Sequence, residues 1–148
     1  INLSKLINGF INIKEETTKE ITFINQVEDS LVIFGNQSRL LQVLDNLIGN
    51  SISFSPKKGK ITIEGYSSNG KVKISITDQG KGISETKKET IFERFYSDRP
   101  SDEKFGKHSG LGLSIVKQIL EKHDAKIVAD NIYNENQGIA GAKFTIEF

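Results

Sequence analysis

Between Gln42 and Val116 four short motifs follow one another: Gln42-Val43-Leu44-Asp45-Asn46-Leu47-Ile48-Gly49-Asn50, then Asp78-Gln79-Gly80-Lys81-Gly82, then Ile91-Phe92-Glu93-Arg94-Phe95-Tyr96, and last Ser109-Gly110-Leu111-Gly112-Leu113. The first lies in a helix by pattern. Leu40, Leu41, Val43, Leu44, Leu47, Ile48 and Ile52 recur at helical spacing, Asn36 is a suitable N-cap, and Ser55-Pro56 ends the run. Asn46 and Asn50 are four apart and therefore leave the same face of that helix. Asp78 ends an alternating run from Lys71 whose inward set is Val72, Ile74 and Ile76, so its carboxylate also points inward.

Working outward, Lys60 to Tyr66 alternates in the same way, and Asn69-Gly70 joins the two runs as a hairpin, with Ile61 and Ile63 facing the core. Gly65 to Lys71 spells G-x-x-x-x-G-K, but Val72 stands where a phosphate loop needs a Ser or Thr, and a strand follows instead of a helix. Upstream, Leu3, Leu6, Ile7, Phe10, Ile11 and Ile13 mark an amphipathic helix ahead of Lys14-Glu15-Glu16. Ile21 to Ile24 and Leu31 to Phe34, separated by polar residues, suggest a short hairpin. Downstream, Gln79 to Lys107 is poor in apolar residues apart from Ile91 to Tyr96, which suggests a lid with one anchored patch. A last helix from about Gly110 to Lys122, with Leu111, Ile115 and Ile119 as its buried stripe, leads to closing strands Lys126 to Ile132 and Ala142 to Phe148. This order predicts an α+β sandwich and not a regular βαβ alternation.

The 148 residues suit a single domain with one core. With 20 basic and 19 acidic residues interspersed, the net charge of +1 gives no electrostatic reason to expect nucleic acid or a membrane surface as partner. The absence of cysteine excludes disulfides and thiolate metal sites. No apolar run approaches the roughly 18 residues that span a bilayer, and no signal-peptide pattern opens the chain. It begins at Ile1 and contains no methionine, so excision from a longer protein is expected.

The motifs also carry chemistry. An amide oxygen is a hard, neutral ligand suited to Mg²⁺ that keeps waters and phosphates as its other ligands, although two such asparagines can equally bond neighbouring backbone. A buried carboxylate such as that of Asp78 wants a donor, while an Asp-x-Gly-x-Gly alone is commonly a turn after a strand. Ser109 can cap a helix whose first turn holds Gly110 and Gly112, leaving bare amides at the positive end of the dipole, which is a cradle for phosphate.

Taken together, the motifs resemble, in order and spacing, the N box, first glycine box, F box and second glycine box of the catalytic, ATP-binding domain of bacterial sensor histidine kinases, over nearly the whole chain. The resemblance implies a Bergerat-type fold shared with gyrase and MutL ATPases: a two-layer α/β sandwich in which a mixed sheet backs three main helices, with ATP held between helices and a lid. It makes residues 1–148 one catalytic domain, with 1–16 packing toward a missing upstream phosphoacceptor domain and 84–108 as the ATP lid. It assigns Mg²⁺ to Asn50, the phosphates to neighbouring Asn46, and the adenine amino group to Asp78, with Gly80 and Gly82 letting backbone approach the base. Phe54 and Ile83 line the nucleotide, and Ser109, Gly110, Leu111, Gly112 and Leu113 form the cradle. Arg94, Arg99 and Lys107 are candidates to reach phosphate oxygens, or are solvated surface charges.

In the water-activating ATPases of this fold a glutamate four residues before the metal asparagine is the general base. Here that residue is Asn46, which cannot accept a proton, whereas a neutral imidazole is already nucleophilic. The acceptor expected is therefore a histidine on an upstream dimerisation domain of the same polypeptide, with a response regulator served indirectly and the parent protein in the bacterial inner membrane, this domain in the cytoplasm. Neither His108 nor His123 lies in the family's acceptor pattern. The alternative is a nucleotide-binding regulatory module or ATPase of the same fold without kinase activity. The chain departs from the pattern at Ser53, where a basic residue is frequent, at Phe54, where tyrosine is common, at Ser97, a frequent arginine, and at His108, which replaces a glycine and could donate to a phosphate.

Overall fold

The computed structural model describes residues 1–94 and 112–148. Three helices, α1 (Leu3–Thr17), α2 (Gln37–Phe54) and α3 (Gly112–Lys122), pack on a sheet of β1 (Thr22–Val27), β2 (Lys60–Ser68), β3 (Lys71–Thr77), β4 (Lys126–Tyr133) and β5 (Ile139–Glu147). The strand order is β1-β2-β3-β5-β4. Among the described residues only β1 and β2 run parallel; the other pairs are antiparallel, so the sheet is mixed. This is the α+β two-layer sandwich expected.

The period-two alternation of the strands sets the layers. Ile61, Ile63, Ile74, Ile76, Phe144 and Ile146 point to one side and join Leu40, Val43, Leu44, Leu47 and Ile48 of α2 in one core. Each such aliphatic side chain contributes about 1.5–3 kcal/mol by leaving water. α2 begins where expected: Asn36 Oδ1 accepts from the Arg39 N–H at 3.0 Å. The β2–β3 turn has φ of 54° at Asn69 and 77° at Gly70, the doubly positive geometry that asparagine and glycine tolerate.

Two expectations need correction. Residues 21–24 and 31–34 do not form a hairpin. β1 pairs parallel with β2, from Thr22 opposite Lys60 to Val27 opposite Gly65, and α2 makes the crossover that a parallel pair requires. The 31–34 segment turns instead to the start of the chain: Leu3 N donates to Leu31 O at 2.8 Å and Ile33 N to Ile1 O at 3.1 Å. Ser4 Oγ holds this turn by accepting from Leu31 N at 2.9 Å and donating to Glu28 O at 2.6 Å. The buried stripe of α3 is Val116, Ile119 and Leu120, with Leu113 and Ile115 partly buried. Strict four-residue steps from Leu111 drift around a 3.6-residue helix, whereas mixed steps of three and four stay on one side.

α1 buries Leu3, Ile7 and Ile11 on this same core, while Ile13 on its outer side is 63% exposed. Two single 3₁₀ turns, Glu85–Lys87 and Thr90–Phe92, follow β3. The second buries Ile91 and Phe92, and Phe92 meets Phe144 edge-on at 6.3 Å, so this half of the aromatic motif is an anchor. Among the described residues no helix is long and apolar enough to cross a membrane.

Candidate nucleotide-binding site

The second half of α2 presents Asn46 and Asn50, both partly buried and one turn apart. The start of α3 lies against Asn46. A methyl group placed on Gly112 would sit 3.7 Å from Asn46 Oδ1, so the glycine leaves the first turn of α3 bare on the side facing the asparagine. The helix-borne amide and the helix-opening glycine, 66 positions apart in sequence, thus meet.

Asp78 stands just past β3 and is 4% exposed. Its backbone N–H donates to Ala142 O at 2.9 Å, which seats the residue on β5. Its Oδ1 accepts from Gly80 N at 2.9 Å and Ala142 N at 3.1 Å, and Oδ2 receives neither of these donors. Burial pushes the carboxyl above its usual range and outweighs the opposing hydrogen bonds from Gly80 and Ala142. Ser51, fully buried on α2, helps the ionised form from nearby, yet its hydroxyl makes no hydrogen bond of ordinary geometry there. Gly141 is required by the same packing, because a side chain at that point of β5 would overlap the Asp78 carbonyl.

The glycines after Asp78 are also required by contact. A Cβ on Gly80 would lie 2.7 Å from the Phe54 carbonyl oxygen, which ties this loop to the end of α2. Lys81 Nζ lies 5.4 Å from the centre of the Phe54 ring. Gly82 has a φ of 78°, and a side chain on it would meet Asn131 Oδ1 at 2.6 Å. Ile83 packs against the core, and its backbone is gripped at both ends: Ile83 N donates to Asn131 Oδ1 and Asn131 Nδ2 donates to Ile83 O, each at 2.7 Å. Asn131 Nδ2 also donates to Glu85 Oε1 at 3.1 Å, and the Tyr133 hydroxyl donates to the same oxygen. Lys88 pairs with Glu85 at 2.9 Å and with Asp130 at 3.5 Å. These donors hold the Glu85 carboxyl down to about 2, with Lys88 the largest cause.

Asn46, Asn50, Phe54, Asp78, Gly80, Gly82, Ile83, Gly112 and Leu113 all lie in the described residues. The contacts tie Asn46 to Gly112, Phe54 to Gly80, and Asp78 to Gly80, while Ile83 is joined to β4. Arg94 is exposed at the edge of the described residues. Arg99, His108, Ser109, Gly110 and Leu111 lie outside them, as do Phe95, Tyr96 and Lys107. Sequence reading missed Ser51, Asn131, Gly141 and Ala142. Asn131 left one signal: it is a polar residue at an inward position of a strand, where Ala129 precedes it at the same phase. Among the described residues no three His, Cys, Asp or Glu side chains cluster as metal ligands. The amide oxygens of Asn46 and Asn50 are hard, neutral donors of the kind that Mg²⁺ accepts beside phosphate and water.

A family model for histidine kinase-, DNA gyrase B- and HSP90-like ATPases matches residues 35–148. The chain belongs to that ATPase family. It is 37% identical over 156 residues to the sensor protein ChvG of Agrobacterium fabrum, covering 99% of this chain and 26% of that protein. It is 33% identical over 150 residues to the sensor histidine kinase WalK of Bacillus subtilis, covering 99% and 23%. The chain thus spans about a quarter of the length of these curated relatives. Among solved structures, the mycobacterial sensor histidine kinase MprB superposes with a TM-score of 0.87 at 28% identity, over 100% of this chain and 94% of that one. The nucleotide-free catalytic domain of histidine kinase ThkA gives 0.84 at 31%, over 100% and 92%. Within the family, this is therefore a catalytic ATPase domain of the histidine kinase kind.

Proposed function

We propose that this domain binds ATP with Mg²⁺ and orients its γ-phosphoryl for in-line transfer to a histidine on a dimerisation domain preceding it in the same polypeptide, from which a response regulator is phosphorylated. The observation that carries the reading is Asn46. It lies against Gly112 at the start of α3, where a hydrolytic relative would need a carboxylate, and an amide cannot take a proton from water. Asn50, one turn on, would hold Mg²⁺, which when bound would neutralise phosphate charge. Asp78 accepts from the adenine amino group, and Phe54 and Ile83 flank the base. The amides at the start of α3, with Ser109, Gly110 and Leu111 before Gly112 and Leu113, receive the phosphates. Arg94, Arg99, Lys107 and His108 are the candidates to contact them. The domain contributes positioning and charge neutralisation, since phosphoryl transfer asks little covalent chemistry of the protein. Its inner α1 face is used on its own core, so the junction with the preceding domain falls on the outer side that carries Ile13. The domain faces the cytoplasm and the parent protein is anchored in the bacterial inner membrane.

The test is transfer of label. With γ-labelled ATP and Mg²⁺ the 148-residue chain should bind nucleotide without becoming labelled, and addition of the parent protein's phosphoacceptor domain should yield acid-labile phosphohistidine on that domain. Label on this chain alone, or release of free phosphate with no acceptor labelled, would overturn the reading.

A further inference from the structure

Asn131 is 7% exposed and occupies an inward strand position, yet both ends of its amide are engaged with the backbone of one residue, Ile83, on another element. A side chain that bonds, through its acceptor and its donor, the two peptide groups flanking one residue fixes that residue in height and in tilt. The preceding residue is seated on the same group, since Gly82 approaches Asn131 Oδ1 too closely for any side chain. At the other end of this loop, Asp78 is held to β5 through Ala142, N to O at 2.9 Å and N to Oδ1 at 3.1 Å. The loop from Asp78 to Ile83 therefore hangs between two fixed points on adjacent strands, with Gly80 resting on the Phe54 carbonyl midway.

Resting on the reading that the base enters beside Asp78, we infer that Asn131 is a positioning residue for base selection: by holding Ile83 it sets the separation between the Asp78 carboxylate and the Gly82–Ile83 backbone, against which the purine edge fits. With Asn131 shortened, Ile83 N–H and C=O lose their partners and the strand-side peptide is free to shift. The gap then no longer matches one purine over another. A residue that only stabilised the fold would leave folded molecules with unchanged selectivity.

The experiment compares Asn131→Ser and Asn131→Asp with the unsubstituted chain, each confirmed folded by circular dichroism, in calorimetric titrations with ATP, ADP and GTP in Mg²⁺. Asn131→Asp is isosteric and keeps the acceptor for Ile83 N–H but turns a carboxylate oxygen toward Ile83 O and Glu85 Oε1, so the neutral serine variant guards against loss of fold in the aspartate one. The expected result is an ADP affinity reduced about tenfold and an ATP-over-GTP preference reduced at least about threefold in both variants, with faster amide exchange at Ile83 in Asn131→Ser. Equal losses for ATP and GTP, or an unchanged preference despite faster exchange at Ile83, overturns the inference while leaving the nucleotide site intact. Failure of the unsubstituted chain to bind ATP removes the site reading and this inference together.

Discussion

His123 Nε2 accepts a hydrogen bond from the backbone N–H of Asn36 at 3.0 Å, so the end of α3 is fastened to the N-cap of α2 across 87 positions of sequence. The acceptor role of Nε2 places the ring proton on Nδ1, which faces the Ile119 carbonyl at 2.8 Å. Gly35 packs flat on the ring: a Cβ there would lie 2.7 Å from His123 Cδ2. The two helices that present Asn46 and Gly112 to each other are thereby joined again at their far ends.

His123→Ala removes this fastening and leaves the Asn36 N–H without its partner. The expected cost is about 1–2 kcal/mol, read as a lower urea midpoint with an unchanged slope. An unchanged midpoint would mean that water replaces the imidazole without penalty.

Asp78→Asn should separate stability from affinity. The folded-state carboxyl is raised above its ordinary value by burial, so the folded state favours the neutral form, and ionisation costs stability as pH rises from the unfolded value through the folded one. The isosteric amide keeps the acceptor for Gly80 and Ala142 without the charge. The variant should melt higher at pH 7, by about 2 °C or more, with the gain vanishing toward pH 3. Nucleotide affinity should fall at least about tenfold with or without Mg²⁺, because the amide offers the adenine amino group a competing donor.

Asn50→Asp should change affinity in a metal-dependent way instead. Titrations of ATP with and without Mg²⁺ should differ from wild type chiefly where metal is present, by on the order of tenfold. Equal changes in both conditions would place the cation elsewhere.

Glu85 titrates far below an ordinary glutamate, at about 2, through its bonds from Lys88, Tyr133 and Asn131. A depressed folded value contributes stability that is present above the unfolded value near 4.5 and is lost as pH falls through about 2. Carboxyl carbon shifts followed by NMR should show this late titration, and added salt should move it back toward normal, since the group is solvent-exposed and its ion pair is screened. A midpoint near 4.5 at low salt would show that the Lys88 and Tyr133 contacts are not maintained in solution.

Where local pattern and packing agreed, the sequence was readable. The α2 stripe, its Asn36 cap, the Asn69-Gly70 turn and the inward phase of Asp78 all follow from periodicities that the core enforces on nearby residues. The misassigned 31–34 segment shows the limit: apolar alternation fixes which side a strand shows but not its partner, and Leu31 and Ile33 find theirs at Leu3 and Ile1. Asn131 and Gly141 escaped for a related reason. Their roles are set by what crosses from β3 and the loop after it, at separations of 48 positions for Ile83 and 63 for Asp78, which no local window contains.

The seam between β3 and β5 has a kinetic side. The β2–β3 hairpin closes locally through two turn residues, but Thr77 meets Lys143 only after the long intervening chain has been looped, an entropic cost that must precede any reward from pairing. The Asp78–Ala142 contacts belong to that seam and should form late, on the native side of the folding barrier. A ligand that draws on Asp78 would then act mainly as a brake on unfolding, extending the lifetime of the native state while hardly changing how fast the chain reaches it.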